Sequence, residues 1–163
     1  MSTKVKDVRL VLVRSAGEEA LLDGSESIEA EHVLLALAKF PGSTASRLLT
    51  EVGLTGDAIR AALDREWEQS LAVAGVAVQV AQLPKATSDP HRSPWIGAST
   101  KLLLKRAVDH ASATGGGRIG STHMLVGILD AKLGRVPRAL DLAGVDRAGL
   151  RSQAAHQAEQ GNH

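Results

Sequence analysis

Ile28-Glu-Ala-Glu-His32-Val-Leu-Leu-Ala-Leu37 is echoed later in the chain as Ile119-Gly-Ser-Thr-His123-Met-Leu-Val-Gly-Ile128-Leu129. The offset is 91 residues, from Ile28 to Ile119, and it holds without a gap when Val8–Leu63 is laid over Ser99–Ala154. Leu12 then meets Leu103, Ala16 meets Ala107, Ala20 meets Ala111 and Gly24 meets Gly115. Beyond the quoted stretch Arg47 meets Arg138, Leu49 meets Leu140, Gly53 meets Gly144 and Arg60 meets Arg151. Identities are sparse, but the unbroken register and the coincident apolar and glycine positions identify a duplicated unit.

Each unit reads as helices. Val8, Leu12, Ala16 and Ala20, like Leu103, Leu104, Ala107, Val108 and Ala111, recur at helical spacing. Small alanines in that stripe let a second helix approach closely. Gly24 and Gly115 stand where a helix ends in a left-handed residue, and Gly53 and Gly144 stop a third helix in the same way. Thr55 and Asp146, equivalent under the shift, predict N-caps for a fourth helix. The fold expected is all-α: a pseudo-two-fold bundle of about eight helices from two four-helix repeats. One domain over 1–163 is expected, with repeat one at 4–70, a connecting segment at 71–98 and repeat two at 99–159. Within the connection, Val76, Val78 and Val80 alternate with small or polar residues, which fits an extended segment or a helical extension broken at Gly75. Pro84, Pro90 and Pro94 predict a loop, with Trp95 and Ile96 as its anchor. The polar stretch 154–163 is expected to fray.

Composition agrees with packed helices. Hydrophobic residues are 44% of the chain and aromatics 2%, so the core must be aliphatic. Net charge is +1, which gives no global pull toward nucleic acid, and the basic run Lys101–Arg106 is modest. With no cysteine there is neither a disulfide framework nor a thiolate nucleophile. Charges at Lys6, Asp7, Arg9 and Arg14 interrupt the first segment, so no signal peptide is expected. No run has the length of a membrane span, and a cytoplasmic protein is expected.

Candidate chemistry is thin. Gly115-Gly-Gly-Arg-Ile-Gly-Ser-Thr122 has phosphate-loop glycine spacing, but Ser121 stands where the essential lysine belongs and a helix precedes it. It reads as an interhelical turn. His32 and His123 are equivalent, yet neither has a second histidine one turn away, so no metal site is expected. Each reads as an imidazole holding the interhelical turn by hydrogen bonds. No nucleophile elbow is present, and no catalytic residue or cofactor is expected.

Glu18-Glu-Ala-Leu-Leu22, then Ile28 to Leu37, then Ala45-Ser-Arg-Leu-Leu-x-x-Val-Gly53 resemble the repeat of the Clp ATPase N-terminal domain, and Ile119 to Leu129 resembles it again. The shared Ile-x-x-x-His-x-Leu core makes the resemblance specific, and it covers nearly the whole chain. It implies a non-catalytic module that receives unfoldase components, adaptors, protein or peptide substrates and, in some members, phosphorylated arginine. The chain ends where the ATPase rings of the family begin, so it resembles either a stand-alone member or an excised domain; the stand-alone reading is the one expected, acting as adaptor, competitor or sink. A regulator contacting nucleic acid is the alternative.

Departures bear on the site. The family commonly carries Thr-Glu-His in both repeats, and its glutamates are associated with phosphoarginine. Here Ala30-Glu31-His32 keeps the carboxylate, whereas Ser121-Thr122-His123 has lost it. A guanidinium gains most from a carboxylate fork, so Thr122 implies a weakened pocket. Glu31 in a first helical turn also favours the helix dipole with no ligand at all. Family phenylalanines near each repeat start correspond to Val5 and Ile96, with Trp95 beside Ile96 as a substitute aromatic. The partner-binding residues expected are therefore Glu31, Val5, Trp95, Ile96 and Thr122.

Overall fold

Leu12, Ala16 and Ala20 form the fully enclosed face of α1 (Val8–Leu22) in the computed structural model. The structure describes residues 8–84, 89, 91–115 and 118–161. Strand β1 (Ser27–Ile28) leads into α2 (Ala30–Ala38), α3 (Thr44–Glu51) and the long α4 (Gly56–Val73). A 3-10 turn at Val80–Gln82 and strand β2 (Trp95–Ile96) follow. The order then returns as α5 (Ala98–Ala113), α6 (Ser121–Leu129), α7 (Arg135–Leu142) and α8 (Arg147–Glu159). The described residues thus form an all-α bundle of eight helices in two four-helix units. One two-stranded parallel sheet, Ser27 opposite Trp95 and Ile28 opposite Ile96, joins the units.

Helix ends fall where local chemistry puts them. Gly24 and Gly115 (φ 66° and 85°), like Gly53 and Gly144 (φ 78° and 73°), take the left-handed conformation that stops a helix without steric penalty. The Thr55 hydroxyl accepts from the Ala58 N–H at 3.2 Å, and an Asp146 carboxylate oxygen accepts from the Gly149 N–H at 3.0 Å. Both satisfy N–H groups that the helix itself leaves unpaired.

The core sits around α2 and α6. Val33 through Leu37 and Met124 through Leu129 are all buried, so these helices are apolar nearly all round and need neighbours on every side. α2 packs on α1, α3 and α4 of its own unit and on α5, α6 and α7 of the other; α6 packs on α5 and α8 and also on α1 and α3. The two units therefore share one hydrophobic core. At the α5–α6 crossing, a Cβ added to Gly127 would stand 2.5 Å from the Leu103 carbonyl oxygen.

Two stretches resolve what the sequence left open or read differently. In the connection α4 continues to Val73 and ends at Gly75 (φ 87°), with the Val76 N–H donating to the Leu71 carbonyl at 2.8 Å. The valine alternation that follows forms no strand; the Val80 N–H instead donates to Glu68 Oε1 at 2.8 Å, tying the turn back to α4. At the far end α8 runs to Glu159 rather than fraying from 154. Ala154 and Ala158 extend the Leu150 stripe at helical spacing and are buried. Polar neighbours masked that small-residue face.

Candidate functional site

The repeated histidines hold helix starts. His32 is the third residue of α2, and its Nδ1 accepts from the Glu29 N–H at 3.0 Å. That bond places the neutral ring's proton on Nε2, which donates to Asp23 Oδ2 at 2.9 Å. In the second unit His123 Nδ1 accepts from the Gly120 N–H at 2.9 Å, and Nε2 lies 3.3 Å from the Thr114 hydroxyl oxygen. Both rings are buried. Each imidazole takes over one half of a capping box and pins the preceding turn.

An ion-pair network grows outward from there. Burial alone would raise the Asp23 carboxyl, but the His32 hydrogen bond and the positive Arg60 and Arg135 hold it below its ordinary value. Arg60 also bonds the buried Glu19, which takes Lys39 Nζ at 2.5 Å on its other oxygen. Arg135, the first residue of α7, crosses to the other unit. Its Nη1 lies 3.3 Å from Glu31 Oε1, its Nε 3.4 Å from Glu66 Oε2, and its guanidinium carbon 5.9 Å from the centre of the Trp67 ring. Glu66 is buried and also receives Arg138 Nε at 2.9 Å and the Ser70 hydroxyl at 2.7 Å. Burial would raise its carboxyl, but these hydrogen bonds and the two arginine charges hold it below the ordinary value.

Two of the cavities that this network borders flank Glu31. The first, about 340 Å³, is lined by Asp23, Glu31, Arg60, Asp64, Trp67 and Arg135, with Leu35 and Leu63 as apolar wall. Burial pushes the Asp64 carboxyl above its ordinary value, and the neighbouring Glu68 and Asp23 charges add to this while Arg135 and Arg60 oppose it. The second, about 290 Å³, is a more apolar groove with Leu102, Leu103, Ile128, Leu133, Val136 and Pro137 on its walls. Leu133 is 90% exposed and Leu102 52%. Glu31 and Arg135 line both cavities, so their ion pair stands between them. The arrangement offers an apolar groove beside a charged, aromatic-walled pocket, which suits holding a polypeptide segment.

Of the described residues expected to bind a partner, Glu31 alone borders these two cavities. Trp95 and Ile96 sit on β2, 61% and 37% exposed, and line neither. Thr122 is fully enclosed in α6, so it belongs to the core and presents no surface to a partner. A hydroxyl fits an enclosed position better than an ionised carboxylate does. Val5 lies outside the described residues. Arg135, Asp64, Glu66 and Trp67 escaped the sequence reading. The signal that finds them is the paired departure from the repeat: where Glu31 becomes Thr122, Arg135 has Thr44 as its equivalent.

Among the described residues no group of three or more His, Asp or Glu side chains is placed to hold a metal ion. Nor is any helix long and apolar enough to cross a membrane.

The Clp repeat (R) N-terminal domain profile matches residues 7–140. Among solved structures, the N-terminal domain of the caseinolytic-protease-associated chaperone ClpD from Arabidopsis thaliana is similar, with TM-score 0.67 and 20% identity over 98% of this chain and 99% of that one. The Hsp104 N-terminal domain from Candida albicans superposes with TM-score 0.64 at 14% identity, covering 97% and 98% of the two chains. A structure from investigations of a malarial protein secretion system gives TM-score 0.66 at 17% identity, with 96% of each chain covered. At these identities the structures speak to fold alone. No curated protein sequence matches the chain. With the repeat, the histidine-pinned helix starts and the eight-helix bundle already in place, the profile match over most of its length shows that this chain belongs to the Clp repeat N-terminal domain family.

Proposed function

We propose that this chain is a non-catalytic protein- and peptide-binding module of the Clp chaperone–protease system, serving as an adaptor, a competitor or a sink for ligands of the unfoldase. Family membership over residues 7–140 carries the reading, since N-terminal domains of this family bind substrates and adaptors in Clp chaperones. The groove beside Leu102 and Leu133 supports it: exposed leucines at the rim of an apolar cleft recognise extended or helical apolar segments. Charged groups next to the groove orient a segment rather than supply most of its affinity. Phosphoarginine belongs to the same proposal in weakened form, because Glu31 is already engaged by Arg135 and Thr122 is enclosed. A chain without cysteine fits a cytoplasmic setting, and we include that in the reading.

Capture with immobilised wild-type protein and with Leu133→Asp tests it, the retained chains being identified by mass spectrometry. Leu133 is 90% exposed, so the variant keeps the wild-type melting temperature. We expect unfoldase subunits, adaptors or unfolded clients on the wild-type resin, reduced by about tenfold on the variant, as loss of one apolar anchor at an interface predicts. Recovery of none of these above an unrelated helical domain would contradict the proposal.

A further inference from the structure

The two units close the turn after their central helix differently. Phe40 and Ala131 are equivalent under the 91-residue shift, and the backbone places them alike. The Phe40 N–H donates to the Leu37 carbonyl at 3.1 Å, and the Ala131 N–H to the Ile128 carbonyl at 3.2 Å. In the first unit the Phe40 side chain is half-buried and packs on the core. In the second, Ala131 lines the apolar groove of about 290 Å³ and carries no atom beyond Cβ. The same turn holds Gly42 in the first unit and Leu133, 90% exposed, in the second. One unit thus covers its core with its own phenyl ring, whereas the other leaves a cleft and raises a leucine at the rim. A dry apolar cavity of about 150 Å³ holds a benzene ring. The groove therefore has room for a phenyl group and part of a flanking apolar side chain.

The charge on this groove departs from the repeat as well. Arg106 stands where the first unit has Ser15, lies half-buried on the α5 wall, and makes no ion pair among the described residues. The two carboxylates on the walls are already engaged. Glu29 accepts from the Ser27 hydroxyl at 2.8 Å and from the Ser99 N–H at 3.2 Å, and Glu31 pairs with Arg135 at 3.3 Å. Lys132, exposed and next to Leu133 in the chain, brings a second cation to the same loop. The uncompensated charge beside the apolar walls is therefore positive, and it favours a segment that carries a carboxylate.

We propose that the groove holds an apolar segment of a partner chain by a phenylalanine side chain seated against Ala131, with a carboxylate of the same segment on Arg106. The partner's ring takes the place that Phe40 fills in the first unit. Its burial supplies the affinity, while Arg106 selects acidic segments over basic ones. That a partner exists rests on the peptide-binding reading; the groove itself is tested with synthetic peptides.

Fluorescence anisotropy of a labelled peptide, Asp-Leu-Phe-Leu-Asp, measures this on wild type, Ala131→Phe, Leu102→Asp and Arg106→Gln. One control peptide has alanine for the phenylalanine, and another has lysines for the aspartates. Wild type is expected to bind the parent peptide at least about tenfold more tightly than the alanine peptide. Ala131→Phe gives the second unit the residue of the first. It is expected to keep the helical signal and melting temperature in circular dichroism and to lose at least about tenfold in affinity. Leu102→Asp, at a position 52% exposed on the α5 wall, is expected to lose as much and decides the matter if Ala131→Phe does not fold. Arg106→Gln is expected to bring the acidic and lysine peptides within about twofold of each other and to weaken the salt dependence. Equal affinity for the phenylalanine and alanine peptides, or full binding by a folded Ala131→Phe or Leu102→Asp, would overturn the proposal. Dimerisation of the free protein that Ala131→Phe abolishes would also overturn it, assigning the groove to a second copy. Peptide binding without capture of any Clp-system chain leaves the groove and removes the Clp reading; capture without a phenylalanine preference does the reverse.

Discussion

At the residue scale the protein is organised by side chains that satisfy distant charges. Glu66 is the clearest case, buried on α4 and held ionised by Arg135 and Arg138 from α7 and by Ser70 from its own helix. Its lowered pKa, like that of Asp23, fixes the sign of the acid response. The unfolded chain takes up protons at the ordinary values of 4.5 and 3.8 before the folded one does. Stability from both groups is therefore present above those values and lost as pH falls through the lower folded ones. Asp64 works in the opposite sense: its raised pKa means that acid first relieves a cost, which partly offsets the loss. Glu66→Gln is expected to lower stability at neutral pH by about 1–3 kcal/mol and to flatten the decline below the ordinary carboxylate range. Urea unfolding of both proteins at a series of pH values checks this, and parallel curves would contradict it. Glu31 was legible as a first-turn carboxylate, but its partner was not. Arg135 lies 104 positions away, and no local pattern encodes a contact set by how two units dock.

Elements were legible wherever a local rule decides them. Helix stops at Gly24, Gly53, Gly115 and Gly144 and caps at Thr55 and Asp146 follow from backbone chemistry alone, and the structure has all of them. The alternating valines around Gly75 left an extended segment and a helical extension equally open, because alternation signals a strand only when a neighbouring strand takes the hydrogen bonds; the structure has the helical extension, ended at Gly75. Here the Glu68 side chain takes the Val80 N–H instead. The final helix was underestimated because alanines at 154 and 158 carry little hydropathy yet bury completely. Gly127, opposite Ala36 in the repeat, marks where the units differ. α5 crosses α6 so closely that a methyl group would press on the Leu103 carbonyl at 2.5 Å and the Ala107 nitrogen at 3.3 Å. Gly127→Ala is expected to destabilise by about 1–3 kcal/mol, overpacking outweighing alanine's better helix propensity. A rise in denaturation midpoint would show instead that the helices move apart freely.

On the scale of the whole molecule, duplication yields one core rather than two. α2 and α6 are each walled by helices of both units, and Ser99 and Thr100 of the second unit, with Gly97 of the connection, bond to the turn 28–30 of the first. The same docking brings α7 of one unit against α2 and α4 of the other, so the cavities flanking Glu31 and Arg135 exist only in the assembled pair. Membership of the family was legible from the repeat because its core motif is local and appears twice. Where a ligand would sit was not, since it arises from the docking. The candidate site depends on Glu31 and Arg135 meeting across the two units. A double-mutant cycle measures this directly, with urea unfolding of wild type, Glu31→Gln, Arg135→Ala and the double variant. A coupling energy of about 0.5–2 kcal/mol is predicted for a contacting, partly enclosed pair, and additive effects with coupling near zero would contradict the account.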